Sequence, residues 1–206
     1  GAAGRVWRVT DAGSLGISLA VAEDGDTYAD NAARKAVAYC RASGAVTLAD
    51  DSGLEVDALG GAPGIRSARY APSPGASDAD RRDLLLRRLA GKARPWRARF
   101  HCVVAVAVPN RARAALPMLV RGESAPHTAS GARDGIDLHH FEGWCEGEII
   151  PDERGANGFG YDPIFFIPAQ GKTMAELETR DKNRVSHRAR ALLAAKPFLD
   201  DLIQKY

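Results

Sequence analysis

The sequence predicts an α/β protein in which helices flank a mixed central β-sheet. Helix-like and strand-like segments alternate along its 206 residues, with no internal repeat and no dinucleotide-binding fingerprint. The segment 97–109 is rich in β-branched residues and almost continuously apolar, which indicates a central strand covered on both faces. A chain that is 45% hydrophobic and 26% charged can bury a sizeable core, in one large domain or in two smaller lobes.

The first predicted helix follows Thr27. Thr27 and Asp30 have the spacing of a capping box, and Ser43-Gly44 is a typical helix end. Small side chains share a face of this helix, which suits close packing on a sheet: Ala29, Ala32, Ala33, Ala36, Val37 and Cys40.

Two short strands are predicted next, at 45–50 and 54–59, with polar residues between them. A second capped helix begins at Ser77 and ends at Gly91. The later elements are strands at 141–150 and 161–168 and a C-terminal helix that opens at 186–195.

Residues 111–139 form a predicted insertion after the central strand. The segment is rich in Gly, Ser, Ala and Arg and contains one short strand-like run at 118–120. Its length and composition predict a loop that is partly disordered.

Charge and cysteine content exclude several classes of protein. The formal net charge of +2 argues against a protein that coats nucleic acid or an acidic membrane. Cys40, Cys102 and Cys145 are widely separated and form no CxxC pair, so neither a zinc site nor a disulfide framework is expected. With no apolar run of membrane-spanning length and no signal-like start, the sequence predicts a soluble protein of the reducing cytoplasm.

The stretch Asp50-Asp51-Ser52-Gly53 is the sharpest candidate site. Adjacent carboxylates repel each other unless a cation or a proton offsets their charge. At the end of a strand they could hold Mg²⁺, and one of them could take a proton from an attacking water. The motif alone equally fits a polar turn, and the acidic run 23–26 fits either a second metal ligand or a solvated loop.

Two later segments could bind a nucleotide. The glycines of 155–163 allow a ligand to approach the backbone, and Phe159 and Tyr161 offer flat surfaces for a base. The same segment fits a wide turn whose aromatic rings enter the core. The segment 172–190 carries six Lys and Arg residues, enough for a triphosphate, and His187-Arg188 begins the last helix; a solvated basic face is the alternative.

Taken together, these stretches resemble the Ham1-type inosine/xanthosine triphosphate pyrophosphatases. The matching blocks run in order from about Glu23 to the C-terminus: TYADNAARKA, LADDSGLEVDALGGAPGIRSARYA, RARFHCVVAVA, GFGYDPIFFIP, GKTMAELE and KNRVSHRARAL. The resemblance implies an elongated, two-lobed single chain with a nucleotide cleft between the lobes. It also implies Mg²⁺-dependent hydrolysis of ITP, dITP and XTP to the monophosphate and pyrophosphate by a homodimer. The charge balance and the lack of a membrane-spanning run predict no nucleic-acid or membrane partner.

The resemblance also implies roles for individual residues. Asp51 matches the general base and a metal ligand, Glu23 a second metal ligand, Ser52 a substrate contact and Lys35 a phosphate-facing lysine. The remaining substrate positions are the nucleoside loop Phe159, Gly160, Tyr161 and Asp162 and the basic residues Lys182, His187 and Arg188. Donors from His187 and Arg188 to O6 of the purine would favour a 6-keto base over adenine, whose amino group leaves them without an acceptor.

The sequence departs from the family in two places. The family's first strand and lysine-containing phosphate loop have no counterpart in the sequence given, and the insertion 111–139 is unmatched. A nucleotide-binding protein with impaired catalysis is therefore an alternative. A different metal-dependent phosphatase or nuclease would need further acidic ligands, and a glycosidase is disfavoured because adjacent Asp residues do not face opposite sides of one bond.

Overall fold

The computed structural model describes residues 8–110 and 135–205. In these two ranges five strands form one sheet, in the spatial order β1-β2-β3-β4-β5. The strands are β1 Thr47–Val56, β2 Trp96–Pro109, β3 Ile136–Ile149, β4 Phe165–Ile167 and β5 Lys172–Thr173. The α-helices are α1 Tyr28–Ser43, α2 Asp78–Leu89, α3 Thr179–Val185 and α4 His187–Lys205. The 3₁₀ helices are Gly13–Leu15, Asp57–Leu59, Gly64–Arg69, Asp162–Ile164, Pro168–Gln170 and Met174–Glu176.

Each strand lies beside its neighbour in sequence. Strand β4 pairs antiparallel with both β3 and β5. Strands β2 and β3 are neighbours in the sheet: the Asn110 N–H, just after β2, donates to the Gly135 carbonyl, just before β3, and His101 of β2 stacks on Trp144 of β3. The α/β class and the helix-flanked sheet are confirmed, and the strand pairs of this sheet run antiparallel.

The predicted helix starts at Thr27 and Ser77 are confirmed, although only Ser77 and Asp80 form a reciprocal capping box. The Thr27 hydroxyl accepts from the Asp30 N–H at 3.1 Å, and α1 ends at Gly44 in the left-handed conformation with φ +68°. Ser77 and Asp80 form a reciprocal capping box at the start of α2. These caps satisfy backbone donors and acceptors that a helix end otherwise leaves open.

The chain divides into two compact units, and the division falls within β1, β2, β3 and α4. In the first unit, which contains α1, a core of small and aliphatic side chains joins the helix to two strands: Ala32, Ala36, Cys40, Ala105, Ala107, Ile136 and Leu138. The second unit, Ser52–Cys102 with Glu142–Ala191, has a larger core that includes Leu54, Leu85, Phe100, Phe165 and Met174. The predicted elongated shape and cleft stay predictions.

The prediction of two separate strands at 45–50 and 54–59 was wrong. Strand β1 is continuous from Thr47 to Val56. Gly53 and Leu54 are buried in it, and the polar side chains of Asp51 and Ser52 have partners on helices. The polarity of this stretch therefore reflects those partners rather than a turn.

The predicted insertion 111–139 was wrong at its end. Residues 136–139 belong to β3, because Ile136 and Leu138 alternate into the core of the first unit. Residues 111–134, with the predicted strand at 118–120, lie outside the described residues. Among the described helices, none is long and apolar enough to cross a membrane.

Candidate active site

The carboxylate of Asp51 is fixed by a buried asparagine of α1. The Asn31 Nδ2 donates to Asp51 Oδ2 at 2.9 Å, and the Asn31 Oδ1 accepts from the Gly25 N–H at 2.8 Å. Asn31 is only 1% exposed, so both of its bonds are shielded from water. A Cβ at Gly25 would lie 2.7 Å from the Asp30 Cβ. The loop before α1, the helix and β1 are therefore held in one register around Asp51.

The two predicted metal ligands, Glu23 and Asp51, both lie near the ammonium group of Lys35. Its Nζ lies 2.8 Å from Glu23 Oε1 and 3.7 Å from Asp51 Oδ1. Lys35 follows Asn31 by one helical turn, so both project from the same face of α1. We refer to Glu23, Asn31, Lys35 and Asp51 as the Asp51 cluster.

The donor set of the Asp51 cluster fits Mg²⁺ shared with a phosphate. Mg²⁺ is commonly held by one or two carboxylates, with waters and substrate oxygens completing its shell. Glu23 and Asp51 already converge on a single positive charge, and in the described ranges no group of three or more His, Cys, Asp or Glu side chains could hold a metal. Asp50 belongs to the opposite face of β1 because successive strand residues alternate. The adjacent carboxylates of the motif therefore do not form one metal site.

A second cluster surrounds the exposed ring of Phe159. Phe159 is 64% exposed, and Lys182 Nζ and Arg188 Cζ lie 5.6 and 5.7 Å from the centroid of its ring. Cations at this distance are attracted to the face of an aromatic ring. An exposed ring flanked by positive groups is suited to stack on a planar, electron-rich base.

The turn that carries Phe159 is tied together by Asp162. The Asp162 Oδ2 accepts from the Phe159 N–H at 3.0 Å and pairs with Lys182 Nζ at 2.6 Å, while the residue is only 5% exposed. Gly158 has φ +85°, and a Cβ there would lie 2.1 Å from Asp162 Oδ2. The ion pair therefore occupies the space that any larger residue at 158 would need. We refer to residues 158–162 as the Phe159 loop.

The start of α4 places His187 and Arg188. Arg188 Nη2 donates to the Ser52 hydroxyl at 2.9 Å, and the buried His187 ring stacks on Phe100 with centroids 4.8 Å apart. Gly143 of β3 allows this close approach, since a Cβ there would lie 2.4 Å from the His187 carbonyl oxygen. The glycine thus determines how near the helix comes to the strand.

Two of the residues predicted to contact the nucleoside, Gly160 and Tyr161, make hydrogen bonds within the protein. Tyr161 is 4% exposed and its hydroxyl donates to the Ser67 carbonyl at 2.9 Å. Burial raises the pKa of the Tyr161 phenol well above its usual value. At Gly160, the N–H donates to Asp78 Oδ2 at 2.7 Å and the carbonyl accepts from Arg82 Nη1 at 2.8 Å. Any substrate role of Tyr161 is therefore to support the loop from the core.

The structure brings the predicted residues into two groups. Glu23, Lys35 and Asp51 lie in the Asp51 cluster, and the others lie around the Phe159 loop and the start of α4: Ser52, Phe159, Gly160, Tyr161, Asp162, Lys182, His187 and Arg188.

Sequence reasoning missed four residues that hold these groups: Asn31, Asp78, Arg82 and Gly143. Asn31 had a detectable signal, because it and Lys35 are polar residues four apart on a helix predicted to pack through small side chains. The partners of Asp78 and Arg82 lie about 80 positions away in sequence, so no local pattern indicates them.

Three comparisons with known proteins agree with one another. A model of the Ham1 family matches residues 3–198. The dITP/XTP pyrophosphatase of Desulforamulus reducens is 41% identical over 197 residues, which cover 95% of this chain and 85% of the relative. That of Geobacillus kaustophilus is 46% identical over 175 residues, 84% of this chain and 72% of the relative.

Solved structures give the same result for the fold. The Ham1 protein of Staphylococcus aureus superposes with a TM-score of 0.72 at 36% identity, covering 92% of this chain and 84% of that one. A HAM1 protein from Coxiella burnetii gives a TM-score of 0.70 at 37% identity, covering 88% and 80%.

Proposed function

We propose that this chain, which belongs to the Ham1 family, hydrolyses non-standard purine nucleoside triphosphates such as ITP, dITP and XTP. The products are the monophosphate and pyrophosphate. The observation that supports this best is the Asp51 cluster, in which a buried amide orients one carboxylate oxygen of Asp51 and a lysine lies between Asp51 and Glu23. Relatives at 41 to 46% identity are named dITP/XTP pyrophosphatases, and the alternative of binding without turnover has no such support.

Asp51 is the proposed general base. Its Oδ2 is occupied by the Asn31 amide, so the carboxylate plane is fixed before substrate binds. Its side chain is 13% exposed, which limits the water that can reach it. A carboxylate in a fixed orientation can align an attacking water and accept its proton, and alignment is a large part of the rate enhancement in phosphoryl hydrolysis.

Glu23 and Asp51 are the proposed ligands of Mg²⁺. When bound, Mg²⁺ supplies positive charge that offsets the negative charge of the phosphates. Lys35 is proposed to contact a phosphate oxygen, and in this structure its ammonium is held by the same two carboxylates.

The Phe159 loop and the start of α4 are the proposed nucleobase site. Phe159 offers its exposed ring for stacking, and Arg188, which donates to Ser52, and His187 are the proposed donors to O6 of a 6-keto purine. Adenine has an amino group at that position, so the donors would lose their acceptor. We further propose that the protein forms a homodimer and is located in the cytoplasm. Both of these proposals rest on the likeness to the Ham1 family.

Pyrophosphate release tests this function. Release from ITP, dITP, XTP, GTP and ATP is measured with Mg²⁺ for the wild type, for Asp51→Asn and for Asp200→Asn. Asp51→Asn keeps an oxygen for the Asn31 amide but removes the base, whereas Asp200 is a surface carboxylate paired with Lys196 on α4. We expect release from the deaminated purines by the wild type and Asp200→Asn, and loss of at least about 100-fold in Asp51→Asn. No release by the wild type would refute the function.

A further inference from the structure

We propose that Asp78 and Arg82 are positioning residues that hold Gly160 at both its N–H and its carbonyl and thereby orient the Phe159 ring for the nucleobase. The inference rests on the proposed function, because it assigns a cause to nucleobase affinity at that same site. Asp78 and Arg82 lie one turn apart on α2, so they face the same side of the helix. Their contacts with Gly160 are 2.7 and 2.8 Å long.

Arg82 is itself held rigidly. Its Nε and Nη2 donate to the two carboxylate oxygens of Glu153 at 2.6 and 2.9 Å, which leaves Nη1 directed at the Gly160 carbonyl. The Arg82 side chain is 12% exposed. When one carboxylate binds both Nε and Nη2 of a guanidinium, the plane of the group is fixed, and the direction of its Nη1 donors is fixed with it.

Asp78 is held in a similar way. One oxygen pairs with Arg81, whose Nη1 also donates to the carbonyls of Ala68 and Ala76. The other oxygen accepts from the Gly160 N–H. Hydrogen bonds from Arg81 and from Gly160 lower the pKa of the Asp78 carboxyl, so the acceptor is ionised at neutral pH.

The orientation of Phe159 depends on these backbone contacts. Because Phe159 is 64% exposed, core packing cannot fix the direction of its ring. Its own N–H is bound by Asp162, and the next residue, Gly160, is bound on both sides by α2. With the backbone fixed before and after the Cα, the ring is restricted to few directions. Without the contacts to Gly160, the Phe159 ring would have to be ordered when the base binds. The entropy cost of that ordering would weaken binding.

The test separates orientation of the base from general stability. KM and kcat for ITP are measured for Asp78→Ala, Asp78→Asn and Arg82→Lys, with Asp83→Ala as the control. Asp83 lies on the same helix but pairs with Arg87 at the surface. We expect Asp78→Ala and Arg82→Lys to raise KM about tenfold, the equivalent of one hydrogen bond to a charged group, with kcat within about twofold. Asp78→Asn keeps an acceptor for Gly160 and should restore most of the affinity.

Two further measurements distinguish this role from a merely structural one. Inhibition by IMP should weaken in Asp78→Ala, while inhibition by inorganic tripolyphosphate, which has no base, should not change. Amide exchange of residues 159–162 should become faster in Asp78→Ala and Arg82→Lys but not in Asp83→Ala. An unchanged KM in an active Asp78→Ala protein would overturn the positioning role alone, whereas a wild type that does not turn over ITP would overturn the proposed function. If Asp78→Ala fails to fold, Arg82→Lys decides, since it keeps the positive charge of its site, and an unchanged KM in that variant would overturn the positioning role.

Discussion

Replacing Asn31 by alanine should lower both the stability of the fold and the rate of the reaction. Asn31 is 1% exposed, and its side chain makes one bond to the Gly25 N–H and one to the Asp51 carboxylate. The alanine variant loses both, leaves the Gly25 donor without this acceptor and opens a small cavity. One neutral and one charge-assisted hydrogen bond together correspond to about 3 kcal/mol. For a chain of this size we expect the Tm to fall by roughly 6–12 °C.

The variant Asn31→Asp separates the two bonds. It keeps an acceptor for Gly25 but places a second carboxylate against Asp51. The two like-charged carboxylates repel each other, so the variant should be less stable than wild type.

Chemical denaturation and steady-state kinetics with ITP test both variants. We expect kcat to fall at least about tenfold in Asn31→Ala, because the orientation of Asp51 is lost. Ala36→Gly, a change elsewhere on the buried face of α1, is the control: it should reduce stability but leave kcat of the folded protein unchanged. Wild-type stability and wild-type kcat in Asn31→Ala would refute the reasoning.

Three other predictions follow from the structure. In Gly158→Ala the new Cβ meets Asp162 Oδ2 at 2.1 Å in a left-handed backbone, so KM for ITP should rise more than about tenfold; wild-type kinetics would contradict this. Burial raises the pKa of the Cys145 thiol to about 11, so iodoacetamide at pH 8 should alkylate it about 100-fold more slowly in the native protein than in urea, as followed by mass spectrometry. Hydrogen bonds from Ser77 lower the pKa of Asp80, so its contribution to stability is present above the ordinary carboxyl pKa and is lost as the pH falls through the lowered one. Asp80→Asn should show a smaller loss of unfolding free energy between pH 5 and 2.5, measured by urea titration, and an unchanged loss would exclude this linkage.

The helix ends could be predicted because their determinants are local. Thr27 with Asp30, and Ser77 with Asp80, lie within four residues of each other and form hydrogen bonds that belong to the helix itself. The contacts of Gly160 differ in kind. Gly160 meets Asp78 across 82 positions of sequence, and a glycine in a Gly-rich segment gives no indication of which distant side chains will bind its backbone. Such contacts follow from the tertiary fold and could not be deduced from local patterns.

The motif Asp50-Asp51-Ser52-Gly53 shows why a functional site could be predicted from the sequence while the local backbone structure could not. The identity of the residues indicated a functional site, but their polarity also indicated a turn, and the structure has a strand. In a strand, neighbouring side chains alternate between two faces. Asp51 meets Asn31 and Lys35 of α1, and the next residue, Ser52, meets Arg188 at the start of α4. A turn would have left these polar groups to water, whereas a strand gives each of two consecutive residues its own helix as a partner. The concentration of polar residues in β1 is thus a consequence of two helices being bound by one strand, and it is compatible with regular β-structure because each polar group is satisfied.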